Sequence, residues 1–406
     1  MPIGEGYMSN TRIKLLIVLF ILFSTQFFRY ADWNFAYAGW CSYFIYAFIV
    51  AYVYIYKDKK QAIRTPFGKE VWMLFFLFLL GIMGRLINPN FSLYEERNYI
   101  FAISTFLFYY IYYITNCKEQ DIINIFLFIS LCIFCIQVFQ IAFPEKAVFG
   151  IYDEELRSSR KAIAEIRNGI YRFRVPGIFF TLFCIYYYWN KLLLRIKPKE
   201  ILLFSILLAS MYLHLTRQIM FATFFTLTCS FLFIKSSSFK EKLIAVIIAC
   251  GIIGLYFASD LFGEFYKKTL QEANTGNIRW IATKFYWEKI CSSPLTFLFG
   301  NGHPQSLQKW MELGLHPSDI GFIGVMFHYG VFWVLFYFYT VYLIIVKYSK
   351  MLPLYIKLFV FGTFIDSIMV FPYRFTEEYF VWASMLYIAS LYIVKYQTDL
   401  LKKQLK

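Results

Sequence analysis

A succession of apolar runs, each near the length that crosses a bilayer, limits most what this chain can become. The runs are Leu15–Phe28, Phe35–Tyr56, Val71–Ile87, Tyr99–Thr115, Ile122–Phe143 and Pro176–Leu194, then Ile201–Thr216, Gln218–Ile234, Leu243–Ala258, Ile320–Val346, Leu352–Phe371 and Tyr379–Val394. That makes about twelve spans at the roughly 20 apolar residues a membrane helix needs. Composition agrees. Of 406 residues, 60% are hydrophobic and 23% aromatic, and the mean hydropathy is +0.55. A soluble core cannot absorb that much apolar surface, whereas helices facing lipid require it. The expected fold class is therefore all-α: a polytopic integral membrane protein with about twelve transmembrane helices and outer-face loop helices, residues 1–406 forming a single transmembrane domain.

No small-residue cleavage site follows the first run, so Leu15–Phe28 reads as a spanning helix rather than a removed leader. The eight cysteines imply no disulfide framework, and Cys132 with Cys135 falls inside an apolar run. The net charge of +15 reports topology and anionic lipid rather than nucleic acid, because the basic residues fall in short loops between apolar runs.

Alternate loops carry most of the lysine. One set holds Lys57, Lys59, Lys60, Arg64 and Lys69, then Lys191 to Lys199, Lys235, Lys240 and Lys242, Lys347 with Lys350, and the tail "KKQLK". The positive-inside rule puts these loops and both termini in the cytoplasm. The other set faces outward and includes a medium loop from 144 to 175, the turn at Arg217 and a long loop from 259 to 319. Arginine runs the other way: Arg29, Arg85, Arg97, Arg157, Arg160, Arg167, Arg172, Arg174, Arg217, Arg279 and Arg374 all lie outside or at the outer interface. A compact ammonium is enough to fix topology. A planar guanidinium adds bidentate recognition of phosphate or carboxylate. The outward bias therefore points to an anion at the outer leaflet, with lipid-linked phosphate or diphosphate the natural candidate. Against it stands local pairing, as of Glu95 and Glu96 with Arg97 or of Glu377 and Glu378 with Arg374.

Two outer segments have the look of built structure. Arg157, Arg160 and Arg167 recur at spacings that line one helical face. Ile278–Ile290 places Ile281, Phe285 and Trp287 at helical spacing, as in an amphipathic helix lying on the outer surface. "SSPLTFLFGNG" then reads as a turn punctuated by Pro and Gly.

The order of these segments resembles the bacterial O-antigen polymerase and O-antigen ligase superfamily. "RVPGIF" is similar to that family's R-x-x-G-x-F segment, through Arg174, Gly177 and Phe179. "LHLTRQ" sits where the family carries a Thr-x-Ser-Arg-like turn, matched by Thr216 and Arg217. "NIRWIATKFYWEKICSSPLTFLFGNG" resembles its R-x-x-x-W-like helix followed by Pro-Leu and Gly-x-Gly. Arg279, Pro294, Gly300 and Gly302 match there, while Trp280 departs from the spacing by following the arginine directly. "HPSDIGFIGVMFHYG" resembles the His-containing start of the next span, with Gly330 at its usual distance.

The resemblance implies an inverting, metal-independent membrane glycosyltransferase with no cofactor. It would polymerise undecaprenyl-diphosphate-linked oligosaccharide repeat units of an O-antigen or capsule at the outer face of the bacterial cytoplasmic membrane. The bilayer is one partner; a chain-length regulator and a flippase of the same pathway are others. Arg172, Arg174, Arg217 and Arg279 are the diphosphate-binding candidates. His316 is the candidate base, because an ordinary imidazole titrates near neutrality. His303 reads as a loop residue, and His214 and His328 as satisfied core residues. Asp319 fits a helix N-cap better than a catalyst and stays a substrate-binding candidate. Asp366, an acid near the outer end of an apolar run, is a further functional candidate. The competing readings are ligase-type transfer to another acceptor, a twelve-span transporter or flippase, and a silent scaffold. A transporter would gather charge at the midplane, whereas here it gathers at the outer face.

Overall fold

The computed structural model describes residues 10–24, 38–56, 65–86, 93–143, 164–167, 170–173, 177–214, 217–233, 278–304, 306–368, 370 and 376–404. Each apolar run of the sequence carries a helix there, except Leu243–Ala258, which lies outside the described residues. The helices are α1 (Asn10–Ser24), α2 (Ala38–Tyr56), α3 (Gly68–Arg85), α4 (Leu93–Ser104), α5 (Phe108–Thr115), α6 (Glu119–Ala142), α7 (Ile178–Leu194), α8 (Pro198–Leu213) and α9 (Arg217–Cys229). After them come α10 (Ile278–Ile290), α11 (Pro294–Phe299), α12 (Leu307–Glu312), α13 (Gly321–Tyr329), α14 (Val331–Tyr342), α15 (Leu354–Ser367) and α16 (Thr376–Gln404). The described chain is thus helical throughout apart from one small hairpin, β1 (Ala164–Arg167) and β2 (Ile170–Phe173). Among the described residues, α6 and α16 are long and apolar enough to cross a membrane by length and composition.

Local chemistry sets the helix ends. Glu119 and Asp121 occupy the first turn of α6 and Glu377 and Glu378 that of α16, where the exposed N–H dipoles favour negative charge. Pro198 and Pro294 stand in the first turns of α8 and α11, where the missing N–H costs nothing. Ser293 and Thr296 close a reciprocal capping box on α11.

Two features depart from the sequence reading. The run Ile320–Val346 is not one helix, because it breaks at Gly330 (φ +81°) into α13 and α14. A Cβ on Gly330 would collide with the Leu298 carbonyl, and one on Gly300 with the His328 carbonyl. The Gly-x-Gly turn and the α13–α14 junction therefore meet backbone to backbone, through Asn301 N–H to Phe327 O (2.6 Å) and Gly302 N–H to His328 O (3.1 Å). Only glycine permits that approach.

The second departure concerns Arg167, which lies on a strand and not on a helical face; Arg157 and Arg160 fall outside the described residues. Antiparallel pairing runs from Ala164 opposite Phe173 to Arg167 opposite Ile170. Isoleucine, tyrosine and phenylalanine on β1 and β2, with Asn-Gly between them in sequence, form a strong hairpin signal.

The chain gathers into two compact units. The first comprises residues 1–68, 101–216 and 375–394, the second 69–100, 217–374 and 395–406. The first unit is centred on Phe380, whose ring stands 4.7 Å from Phe108, 5.9 Å from Phe20 and 6.1 Å from both Phe126 and Phe180. Hydrogen bonds tie α16 into this apolar surround: Ser384 Oγ donates to Tyr112 Oη (3.1 Å), Ser390 pairs with Tyr109 (3.0 Å), and the Gly177 N–H donates to Glu377 Oε1 (2.8 Å). Gly177 is thereby the N-cap of α7 and has its own structural purpose. The core of the second unit packs Ala282, Tyr286 and Ile290 of α10 against Leu307, Ile320 and Phe327.

Candidate functional site

Within the second unit, α9 packs along α15. Their facing side chains leave an apolar groove of about 180 Å³, lined by Gln218, Phe221, Phe225, Ile365, Asp366 and Ile368. The groove is made as the sequence dictates: Gln218, Phe221 and Phe225 recur at helical spacing on α9, one face of a helix that opens with Arg217. Asp366 is the only charged group among the lining residues, and it stands near the end of α15.

Arg279, in the first turn of α10, reaches the same place. With the Gln218 amide oxygen turned toward it, that oxygen accepts from Nη1 (2.9 Å) and Nη2 (2.6 Å) together. A carboxamide oxygen that receives both prongs of an exposed guanidinium orients the fork. The result is an oriented cation beside an apolar cleft, with Arg217 adjacent to Gln218 in sequence. That arrangement suits a ligand with an anionic head and an apolar tail. Gln218 has no role in the sequence reading; only its position next to Arg217 singles it out.

The other predicted residues lie as follows. Arg217 and Arg279 both belong to the second unit. Arg172 is on β2 in the first unit, paired with Glu165 across the hairpin, and Arg174 falls outside the described residues. His316 is exposed, one residue before the 3₁₀ turn Pro317–Asp319. Asp319 does not cap α13. Ile320 takes that position with no side-chain cap, and Asp319 Oδ1 instead accepts from Ser318 Oγ (3.2 Å). Asp319 belongs to the 3₁₀ turn that precedes α13, and α13 starts at Gly321, packed so closely on the Ile368 carbonyl that a Cβ would collide with it. Ile368 also lines the groove, so the contact ties the start of α13 to one of its walls.

A second polar cluster in this unit is buried, and the sequence reading does not assemble it. Glu96, fully buried, accepts the His303 backbone N–H at 3.0 Å on Oε1, and His303 Nδ1 lies 3.2 Å from the same oxygen. Arg85, 2% exposed, places Nη2 3.9 Å from Glu96 Oε2 and donates through Nη1 to the His328 carbonyl (2.6 Å). The His328 ring must carry its proton on Nδ1, because it donates to the Gly302 carbonyl at 2.7 Å. His303 is sandwiched between Tyr99 (3.8 Å) and His328 (4.2 Å). Burial pushes the Glu96 carboxyl up, yet the His303 hydrogen bond and the Arg85 charge together hold it below the ordinary carboxylate range. His328 is a satisfied core residue, as its apolar setting implies. Glu96 and Arg85 are not surface groups, and Glu96 pairs with Arg85 and with His303, which lies far along the chain. The cluster clamps the Gly300–His303 turn to the end of α13.

Among the described residues no group of three or more His, Cys, Asp or Glu could hold a metal ion. No protein-family model and no curated protein matches the sequence.

Proposed function

We propose that this chain is a polytopic glycosyltransferase of the bacterial cytoplasmic membrane, with about twelve spans and both termini cytoplasmic. In this reading it polymerises undecaprenyl-diphosphate-linked oligosaccharide repeat units of a surface polysaccharide at the outer face. The observation that carries the reading is the Arg279 fork held by Gln218 beside the apolar groove. An isoprenoid diphosphate has the matching form, two phosphates on an apolar tail.

The chemistry follows from these groups. A hydroxyl of the acceptor glycan attacks the anomeric carbon of the donor, the bond to the lipid diphosphate breaks, and configuration inverts. Arg217 and Arg279 meet the charge that develops on the leaving diphosphate, so the displacement calls for no cation. His316 takes the hydroxyl proton. A chain-length regulator and a flippase would work with the enzyme in the same pathway.

The test is transfer by the purified protein in lipid nanodiscs supplied with lipid-linked repeat units, read as a ladder of products. Arg217→Lys and Arg279→Lys, made separately, keep the charge and lose the fork. At a bidentate site that costs about 1.5–3 kcal/mol, so transfer should fall roughly ten- to hundredfold. Arg174→Lys is expected to behave alike. Full ladders from all three variants at normal expression would reject diphosphate binding by these residues.

Topology is tested separately. Single cysteines near Arg217 and Gln305 should label from the outer side with an impermeant maleimide, and those near Lys59 and Lys403 only after the membrane is opened. Labelling near Arg217 from the cytoplasmic side would put the groove on the wrong face for such a donor and end the proposal.

A further inference from the structure

The helix carrying Arg279 has two apolar faces, and one of them lacks a protein partner among the described residues. The packed face is Ala282, Tyr286 and Ile290, with Phe285 half-buried at its edge. On the opposite side, Trp280, Lys284 and Trp287 stand at i, i+4 and i+7, all exposed. Trp280 is 72% exposed and Trp287 45%, with Ile281 (54%) on the flank. The face thus alternates indole, ammonium and indole, with a single acid, Glu288, beside it.

We propose that this face docks α10 into the outer headgroup layer of the bilayer, seated on anionic phospholipid. Three observations select lipid as the occupant. Tryptophan, with an apolar ring and one N–H donor, concentrates where hydrocarbon meets water. A lysine between two such rings snorkels to phosphate while its stem lies along apolar surface. The helix is 13 residues long, about 20 Å at 1.5 Å per residue, too short to cross and suited to lying in the interface. The consequence bears on the groove. A helix held at headgroup depth fixes Arg279, next to Trp280 in sequence, at the level where a lipid-borne phosphate sits. The inference rests on the membrane setting proposed above, and its test does not use glycan transfer.

The experiment uses the full chain in vesicles of phosphatidylethanolamine and phosphatidylglycerol. Nitroxides are attached to cysteines at 280, 287, 282 and 308 in a chain with the native cysteines replaced, and accessibility to oxygen and to a nickel chelate is compared. Positions 280 and 287 should show several-fold higher oxygen and lower nickel accessibility than exposed Gln308, and buried Ala282 should be low to both. High nickel accessibility at 280 and 287 would overturn the proposal in favour of a water-facing helix. Low accessibility to both probes there would overturn it in favour of cover by protein. A second measurement keeps the native cysteines: lipids brominated near the headgroup should quench tryptophan emission, and Trp280→Phe with Trp287→Phe should remove a distinct part of the quenching. An unchanged quenched fraction in that double variant also overturns it. A chain that docks yet transfers no glycan would sink the transferase reading and leave the docking intact.

Discussion

Arg85→Met should lower the unfolding midpoint more than any single substitution in the groove. The guanidinium is 2% exposed and the Glu96 carboxylate beside it is fully buried. Methionine fills much of the volume but leaves that carboxylate without its cation, and leaves the His328 carbonyl without the 2.6 Å donor it now has. Removing one partner of a buried charged pair typically costs about 3–5 kcal/mol. Glu96→Gln should cost less, since the amide oxygen can still accept the His303 N–H. The pH dependence has a definite sign. Because the Glu96 carboxyl is held below its ordinary value in the folded chain, its contribution is fully present above the unfolded carboxylate pKa of about 4.3 and is lost as pH falls through the folded value. Wild type should lose stability in that acid window, and Glu96→Gln should lose less. The measurement is unfolding in detergent or nanodiscs across pH; a loss under about 1 kcal/mol for Arg85→Met would mean that the cluster does not hold the turn.

That cluster also marks where reading the sequence stops. The helices were legible because apolar runs of this length have few alternatives, and the hairpin could have been read from Asn168-Gly169 between two β-prone segments. The break at Gly330 was less so: a glycine inside a long apolar run signals a close approach only when its partner, here the Leu298 carbonyl, is known. The partners of Glu96 were not legible, for a physical reason. With Arg97 next to it in sequence, local pairing explained the charge, whereas its partners Arg85 and His303 meet it only through tertiary packing. Arg217 and Arg279 were singled out in the sequence as candidate anion-binding forks. Gln218, which orients one of them, was not, because a glutamine in an apolar run carries no charge signal. Asp319 lies in a 3₁₀ turn ahead of α13 and leaves the cap position to Ile320.

His316→Ala should lower transfer about a hundred- to ten-thousandfold, the usual contribution of general-base catalysis, and leave folding and donor binding intact. The separation from structural effects is what makes this prediction sharp. His316 is exposed, so alanine there opens no cavity and strands no buried group. His303 is the opposite case, 7% exposed, stacked between Tyr99 and His328 and bound to Glu96. His303→Ala should therefore reduce transfer chiefly by lowering the unfolding midpoint, and a lower assay temperature should restore much of it. His316→Ala should show no midpoint shift and no recovery on cooling, with lipid-linked donor bound at wild-type affinity. Near-normal turnover by His316→Ala would remove this residue from the mechanism. The proton would then pass to Asp366, the carboxylate that lines the groove beside Gln218, and Asp366→Asn would become the variant that abolishes transfer.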